Sequence, residues 1–150
     1  MRGGASRQVG LVDGRLRDCP DSPNCVCSQS GDPGHTIAPL RFSIAASDAW
    51  PRLRQIIEGL PRTRIVSADE NYLHVEFTTA LLRFVDDVEF LRDSERGVIH
   101  VRSASRIGHA DFGANRKRME AIREKFESDL QPPPVTGQAT APAGSGPESP

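Results

Sequence analysis

The 150-residue chain is short of lysine, of aromatics and of long apolar runs. Lys117 and Lys125 are its only lysines, against 17 arginines, and it has one Trp and one Tyr. With 20 acidic residues the net charge is −1, which argues against a basic nucleic-acid protein and a polybasic membrane binder. No apolar stretch approaches the roughly 18–20 residues that cross a bilayer. The first residues, Met1-Arg2-Gly3-Gly4-Ala5-Ser6-Arg7, hold no apolar core of a signal peptide. The expected location is cytoplasmic as written, and exported or lumenal if the true start lies upstream. There is no H-E-x-x-H, no Gly-rich phosphate loop, no C-x-x-C and no Ser-His-Asp order. No metal, cofactor or nucleic-acid partner is therefore expected.

What is present divides into four segments. Residues 1–18 are Gly/Arg-rich with few apolar anchors, and are expected to be poorly ordered. Residues 19–35 form a Cys/Pro loop of turn-forming residues. Residues 36–130 read as a single α+β domain. Residues 131–150 hold half of the 12 prolines and one charge, and read as a disordered tail that cannot bury enough apolar surface to offset its ordering entropy.

Within the domain, Thr36–Ser43 reads as a first strand. Ser47-Asp48 offers an N-cap, with Pro51 in the first turn and Trp50, Leu53, Ile56, Ile57 and Leu60 at helical spacing. Four strand patterns follow at 64–68, 72–79, 83–91 and 98–106. A helix from Asp111 or Phe112 to Leu130 carries the stripe Met119, Ile122, Phe126, Leu130. Strand, helix, four strands, helix predicts an antiparallel curved sheet covered by the C-terminal helix. The order resembles TATA-binding-protein-like or helix-grip folds, a likeness that carries no function.

The chemistry concentrates in one hairpin. With its turn centred on Glu95, Glu89 faces His100, Asp87 faces Arg102 and Arg83 faces Arg106. Alternation then puts Phe84, Val88, Phe90, Ile99 and Val101 on the core face, with Asp86, Ser103 and Ser105 at one end of it. The other face carries Arg83, Asp87, Glu89, His100, Arg102 and Arg106. Asp87–Arg102 is the expected ion pair, worth about 0.2–1 kcal/mol. One reading of this hairpin is a solvated sheet face laced with ion pairs. A second is a pocket whose arginines take an anionic small molecule. A third is a metal-dependent hydrolytic site on Asp86, Asp87 and Glu89, opposed by the opposite facing of adjacent strand residues. Asp111 looks like the cap of the last helix, and Asn115 falls near its apolar stripe and needs a partner. Asp111, Asn115 and Arg116 are placed to reach back to the sheet end.

Cys19, Cys25 and Cys27 suit a metal site, a redox pair or a loop clip. The C-x5-C-x-C spacing with His35 as the only nearby fourth ligand is poor for zinc. A Cys19–Cys25 disulfide closes a short turn-rich loop in an oxidising compartment, and free thiols fit a reducing one.

Four runs in order, C-P-D-S-P-N-C-V, R-F-V-D-D-V-E-F, V-R-S-A-S-R-I-G and D-F-G-A-N-R-K-R-M-E, resemble the domain-of-unknown-function family 1499 of bacteria and plastids over about residues 17–130. The family's hallmark residues map onto Cys19, Pro23, Asn24, Cys25, Phe84, Asp86, Asp87, Glu89, Arg102, Ser103, Ser105, Arg106, Asp111, Asn115 and Arg116. Cys27 stands where the family pattern has Ser. The resemblance implies no activity, since the family has none assigned, but implies relatives with a leader or membrane anchor. The expected function is a non-enzymatic binding or accessory module for a small anionic or apolar ligand. Its site would use Asp86, Asp87, Glu89, Arg102, Ser103, Ser105, Arg106, Asp111, Asn115 and Arg116. The alternatives are a small hydrolase pairing Asp86 or Asp87 with His100 or His109, and a protein-interaction scaffold.

Overall fold

A computed structural model describes residues 8–108, 111 and 113–130. His109 and the expected tail at 131–150 lie outside the described residues. The elements are β1 (Leu11–Val12), β2 (Arg15–Leu16), β3 (Cys25–Cys27), β4 (Leu40–Arg41), α1 (Ala46–Glu58), β5 (Thr63–Ala68), β6 (Tyr72–Thr78), β7 (Val85–Asp93), β8 (Val98–Ser105) and α2 (Ala114–Leu130). The fold is α+β, with an antiparallel six-stranded sheet in the order β3-β8-β7-β6-β5 and β4 also paired to β8.

The alternation seen in the sequence decides the two faces. Leu73, Val75, Phe77, Val88, Phe90, Ile99 and Val101 meet Leu53, Ile56 and Ile57 of α1 and Met119, Ile122 and Phe126 of α2 in one buried core. Both helices, not the C-terminal one alone, cover that face. Phe84, expected in the core, precedes β7 and is exposed. Its backbone instead closes the β6–β7 turn, its amide donating to Thr79 Oγ1 at 2.9 Å.

Several boundaries differ from expectation: β7 is Val85–Asp93 against the expected 83–91, α2 begins at Ala114 rather than at Asp111 or Phe112, and three further differences have local reasons. Only Leu40–Arg41 of the expected first strand pairs with β8, since Pro39 just before it has no amide to offer a ladder. Helix α1 begins at Ala46, with Asp48 in its first turn rather than at its cap, and Pro51 inside it. In the Cys loop, Cys25–Cys27 pairs with Arg102–Ala104 and adds a strand that three residues cannot announce by periodicity.

Of the segment expected to be poorly ordered, β1 and β2 pair as a two-stranded ribbon, with Gly14 at φ 75° between them. At the far edge of the large sheet, β5 pairs with β6 through a bulge between Ile65 and Ser67.

Candidate functional site

The β7–β8 register sits two residues from the expected one. Asp93 pairs with Val98 across Ser94-Glu95-Arg96-Gly97. Gly97 adopts φ 66°, and Asp93 accepts the Arg96 amide at 3.2 Å and its guanidinium at 3.1 Å. That turn chemistry carries β7 on to Asp93, two residues beyond the expected end, while its start moves from 83 to Val85. A shift of two keeps every side chain on its expected face but changes partners. Glu89 lies opposite Arg102, Leu91 opposite His100 and Asp87 opposite Ala104. The expected Asp87–Arg102 pair is therefore replaced by Glu89–Arg102 and Asp87–Arg106.

The charged face is covered by chain, not by solvent. Residues 8–20 lie across it. Leu16 packs against Cys27 and Leu91 with Cys19 and Tyr72 alongside. Glu89 is 0% exposed and Arg102 1%. Arg102 Nη1 stands 3.5 Å from Glu89 Oε1, and its Nη2 donates to the Asp18 carbonyl at 3.3 Å. Glu89 Oε2 accepts the Gly10 amide at 2.7 Å and the Tyr72 hydroxyl. Burial, then this bond to Glu89, pushes the Tyr72 hydroxyl far above its ordinary value, so it stays a donor. Arg102 Nε is the one buried side-chain nitrogen or oxygen without a hydrogen-bond partner among the described residues.

Beside this pair runs a second network. Glu76 lies directly opposite Asp87, an arrangement of like charges that destabilises a sheet. Arg106 resolves it: Nη2 donates to Glu76 Oε2 at 2.9 Å and to Asp87 Oδ1 at 2.6 Å, while Nε donates to Asp87 Oδ2 at 3.1 Å. His74 Nε2 is 2.8 Å from Asp87 Oδ1. Burial raises the Asp87 pKa, but hydrogen bonds from His74 and Arg106 outweigh it and hold the carboxyl below its ordinary range. The balance at Glu76 is the same, with Arg106 and Arg64 overcoming desolvation.

Asp86 points the other way, beneath α2. Arg118 Nη2 donates to Asp86 Oδ2 at 2.7 Å, and Arg118 Nη1 reaches Asn115 Oδ1 at 2.8 Å and Ser103 Oγ at 3.1 Å. Asn115, fully buried, gives Nδ2 to the Asn24 carbonyl at 3.1 Å, Ser105 Oγ at 2.9 Å and Asp111 Oδ2 at 2.6 Å, and accepts Ser103 Oγ at 2.6 Å. Burial lifts the Asp86 pKa against the pull of Arg118. Two adjacent carboxyls thus shift in opposite directions, because they face opposite sides of one strand.

The expected site residues therefore divide. Asp87, Arg102, Ser105 and Arg106 line an open pocket of about 190 Å³ at the sheet end, closed by Gln8, Pro20, Asn24 and Gly108. Asp86, Ser103 and Asn115 form a closed cluster under Arg118. Asp111 heads α2 much as expected, its carboxylate accepting the Gly113 amide at 2.8 Å and the Asn115 amide at 3.1 Å. Arg116 turns away to the Thr36 carbonyl at 3.0 Å. His100 lies beside Ser28 and Asp93 at the other end of the strand. That is four residues, about 13 Å, from the position opposite Asp87. Sequence reasoning missed Arg118, His74, Tyr72 and Gly10. Tyr72, His74 and Glu76 alternate with Leu73, Val75 and Phe77, so their shared polar face was the available signal. For Arg118 the signal was its position three residues beyond Asn115 on one helix.

Cys19 and Cys25 are joined by a disulfide, with Cα atoms 5.7 Å apart, and Cys27 is a buried free thiol. Burial raises the Cys27 pKa, leaving it unreactive. The bond ties residue 19 to β3, and so ties the covering segment to the sheet. A thiol reagent in native buffer without reductant is expected to find no thiol, and to find one after denaturation. Two or more native thiols would contradict the pairing. Loss of so short a loop closure is expected to cost about 2 kcal/mol in a denaturant titration.

The fold and the two networks define an α+β domain with helices on one sheet face and a disulfide-tethered N-terminal segment over a charged pocket on the other. The chain matches the family described as "Protein of unknown function (DUF1499)" over residues 15–126, and it belongs to that family. No curated protein matches it.

Proposed function

We propose that the domain binds a small anionic molecule in the pocket between residues 8–24 and the ends of β7 and β8, as a binding or accessory module rather than a catalyst. The observation that carries this reading is Arg102, a pocket-lining guanidinium that is buried yet keeps Nε without a partner. A buried donor left unpaired is costly, and an acceptor oxygen of a ligand would satisfy it. Arg106 beside it supplies a second guanidinium, held in position by Asp87 and Glu76. At about 190 Å³ the space is below that of drug-sized ligands, which favours a compact carboxylate.

The hydrolase alternative has weaker support. An acid–base pair needs access to substrate. The carboxylate–imidazole pair here, Asp87 with His74, reaches the pocket only through Asp87, whose oxygens are already engaged by His74 and Arg106. His100 is at the far end of β8, and His109 lies outside the described residues.

Oxalate is the probe. Its titration into the full chain is expected to raise Tm saturably. Arg106→Gln should weaken the effect about tenfold, the loss of one charge-assisted contact, relative to that variant's own Tm. Arg83→Gln, on an exposed arginine outside the pocket, should leave it unchanged. No saturable shift, or an equal loss in both variants, would sink the reading.

A further inference from the structure

We propose a second ligand site, on the opposite side of the sheet, for a small organic acid with an apolar body. It is a pocket of about 260 Å³ between α2, the α1–β5 turn and the end of β6. Helix α2 presents Arg118, Ala121, Ile122 and Lys125 to it, at the i, i+3, i+4, i+7 spacing of a single face. Across from them stand Leu60, Phe77 and Thr79.

The lining divides cleanly by chemistry. Phe77 and Ile122 are core residues whose outer surfaces make an apolar floor. Every ionisable side chain of the lining is a cation: Arg62, Arg118 and Lys125. The pocket near Arg102 has a carboxylate, Asp87, on its lining; here the carboxylate paired to a lining cation, Asp86 on Arg118, is not among the lining residues. An uncharged apolar ligand would leave Lys125 and the outward-facing donors of Arg62 and Arg118 unused, and a bare inorganic anion would leave the floor unused. A carboxylate on a short hydrocarbon or aryl body uses both.

Arg118 is already oriented for the task. Asp86, Ser103 and Asn115 hold its two Nη atoms, and its guanidinium carbon lies 5.0 Å from the centre of the Phe77 ring. Its position is therefore set before a ligand arrives, which lowers the entropy lost on binding. Lys125 and Arg62 are exposed; Arg62 Nε is anchored on the Thr78 carbonyl at 3.1 Å, so its Nη atoms and the Lys125 ammonium are the groups placed to close on a carboxylate.

The test is a titration of the isotope-labelled full chain with octanoate, benzoate and inorganic phosphate, followed by amide chemical shifts. Octanoate or benzoate is expected to shift Thr78, Thr79, Ala121, Ile122 and Lys125 saturably, and phosphate to bind at least about tenfold more weakly for want of apolar burial. Lys125→Glu, at an exposed helix position, should weaken octanoate binding about tenfold or more with the spectrum otherwise folded. Arg62→Gln should act in the same direction. The proposal is overturned if no organic acid shifts these amides saturably, if phosphate binds as tightly as octanoate, or if Lys125→Glu leaves affinity unchanged. Oxalate at Arg102 is read from Asn24, Ala104 and Gly108, so either site can fail in these spectra while the other stands.

Discussion

Arg102→Met is expected to remove about 3–5 kcal/mol of stability, the usual cost of breaking a buried ion pair from one side. The methionine keeps most of the aliphatic volume, so the loss reports charge and hydrogen bonding rather than a cavity. Glu89, with no exposed surface, would be left with the Gly10 amide and the Tyr72 hydroxyl and no counter-charge. Small domains hold only about 5–15 kcal/mol in total, so the variant should be marginally folded, with a urea midpoint far below that of the parent. Pairing it with Glu89→Gln removes the stranded charge and should recover a large part of the loss, giving a coupling energy between the two sites. A single-variant cost under about 1 kcal/mol would mean the pair behaves like a solvated surface bridge, and the covering of this face by residues 8–20 would be refuted.

Asn115→Ala is expected to cost about 3 kcal/mol, at the upper end for stranding buried polar groups. Five groups use this one amide: Ser103, Ser105, Asp111, Arg118 and the Asn24 carbonyl. It joins the start of α2 to β8 and to the residue before β3, so three chain segments lose a common partner together. Asn115→Asp keeps the shape but sets a carboxylate where Nδ2 met Asp111 Oδ2 at 2.6 Å. It should therefore be no better tolerated than alanine at neutral pH. Thermal melts of the two variants side by side decide the matter: a near-neutral Asn115→Asp would show that volume, not the direction of the hydrogen bonds, is what the position needs.

The fold was legible in sequence wherever a period ran for several residues. Leu73, Val75 and Phe77 alternate with Tyr72, His74 and Glu76, and Met119, Ile122 and Phe126 recur along one helix, so the central strands and α2 stand where expected. The three-residue β3 and the two-residue β1 and β2 carry no period at all, and of the alternation at 36–43 only Leu40–Arg41 pairs, as β4. They exist because β8 and the charged face offer them partners. The site was half legible for the same reason. A register shift of two preserves faces, so the facing of Asp86 against Asp87 followed from strand geometry. Partner identity did not, because it depends on how the 94–97 turn is built, and Gly97 with Asp93 settles that locally. The cover over Glu89 and Arg102 was invisible, since residues 8–20 contribute mostly backbone: the Gly10 amide and the Asp18 carbonyl would look alike in almost any sequence.

The bulge between Ile65 and Ser67 bears on how this molecule meets copies of itself. β5 is last in the sheet order, and most of its residues, Val66 among them, are exposed. A flat, regular strand there would offer a neighbouring chain an unbroken row of amides and carbonyls to pair with. The bulge breaks that row near its middle and twists the strand locally, and Arg64 beside it carries a charge that a stacked copy would have to bury. The same irregularity that cost the sheet one ladder position thus keeps its open margin from templating edge-to-edge aggregation.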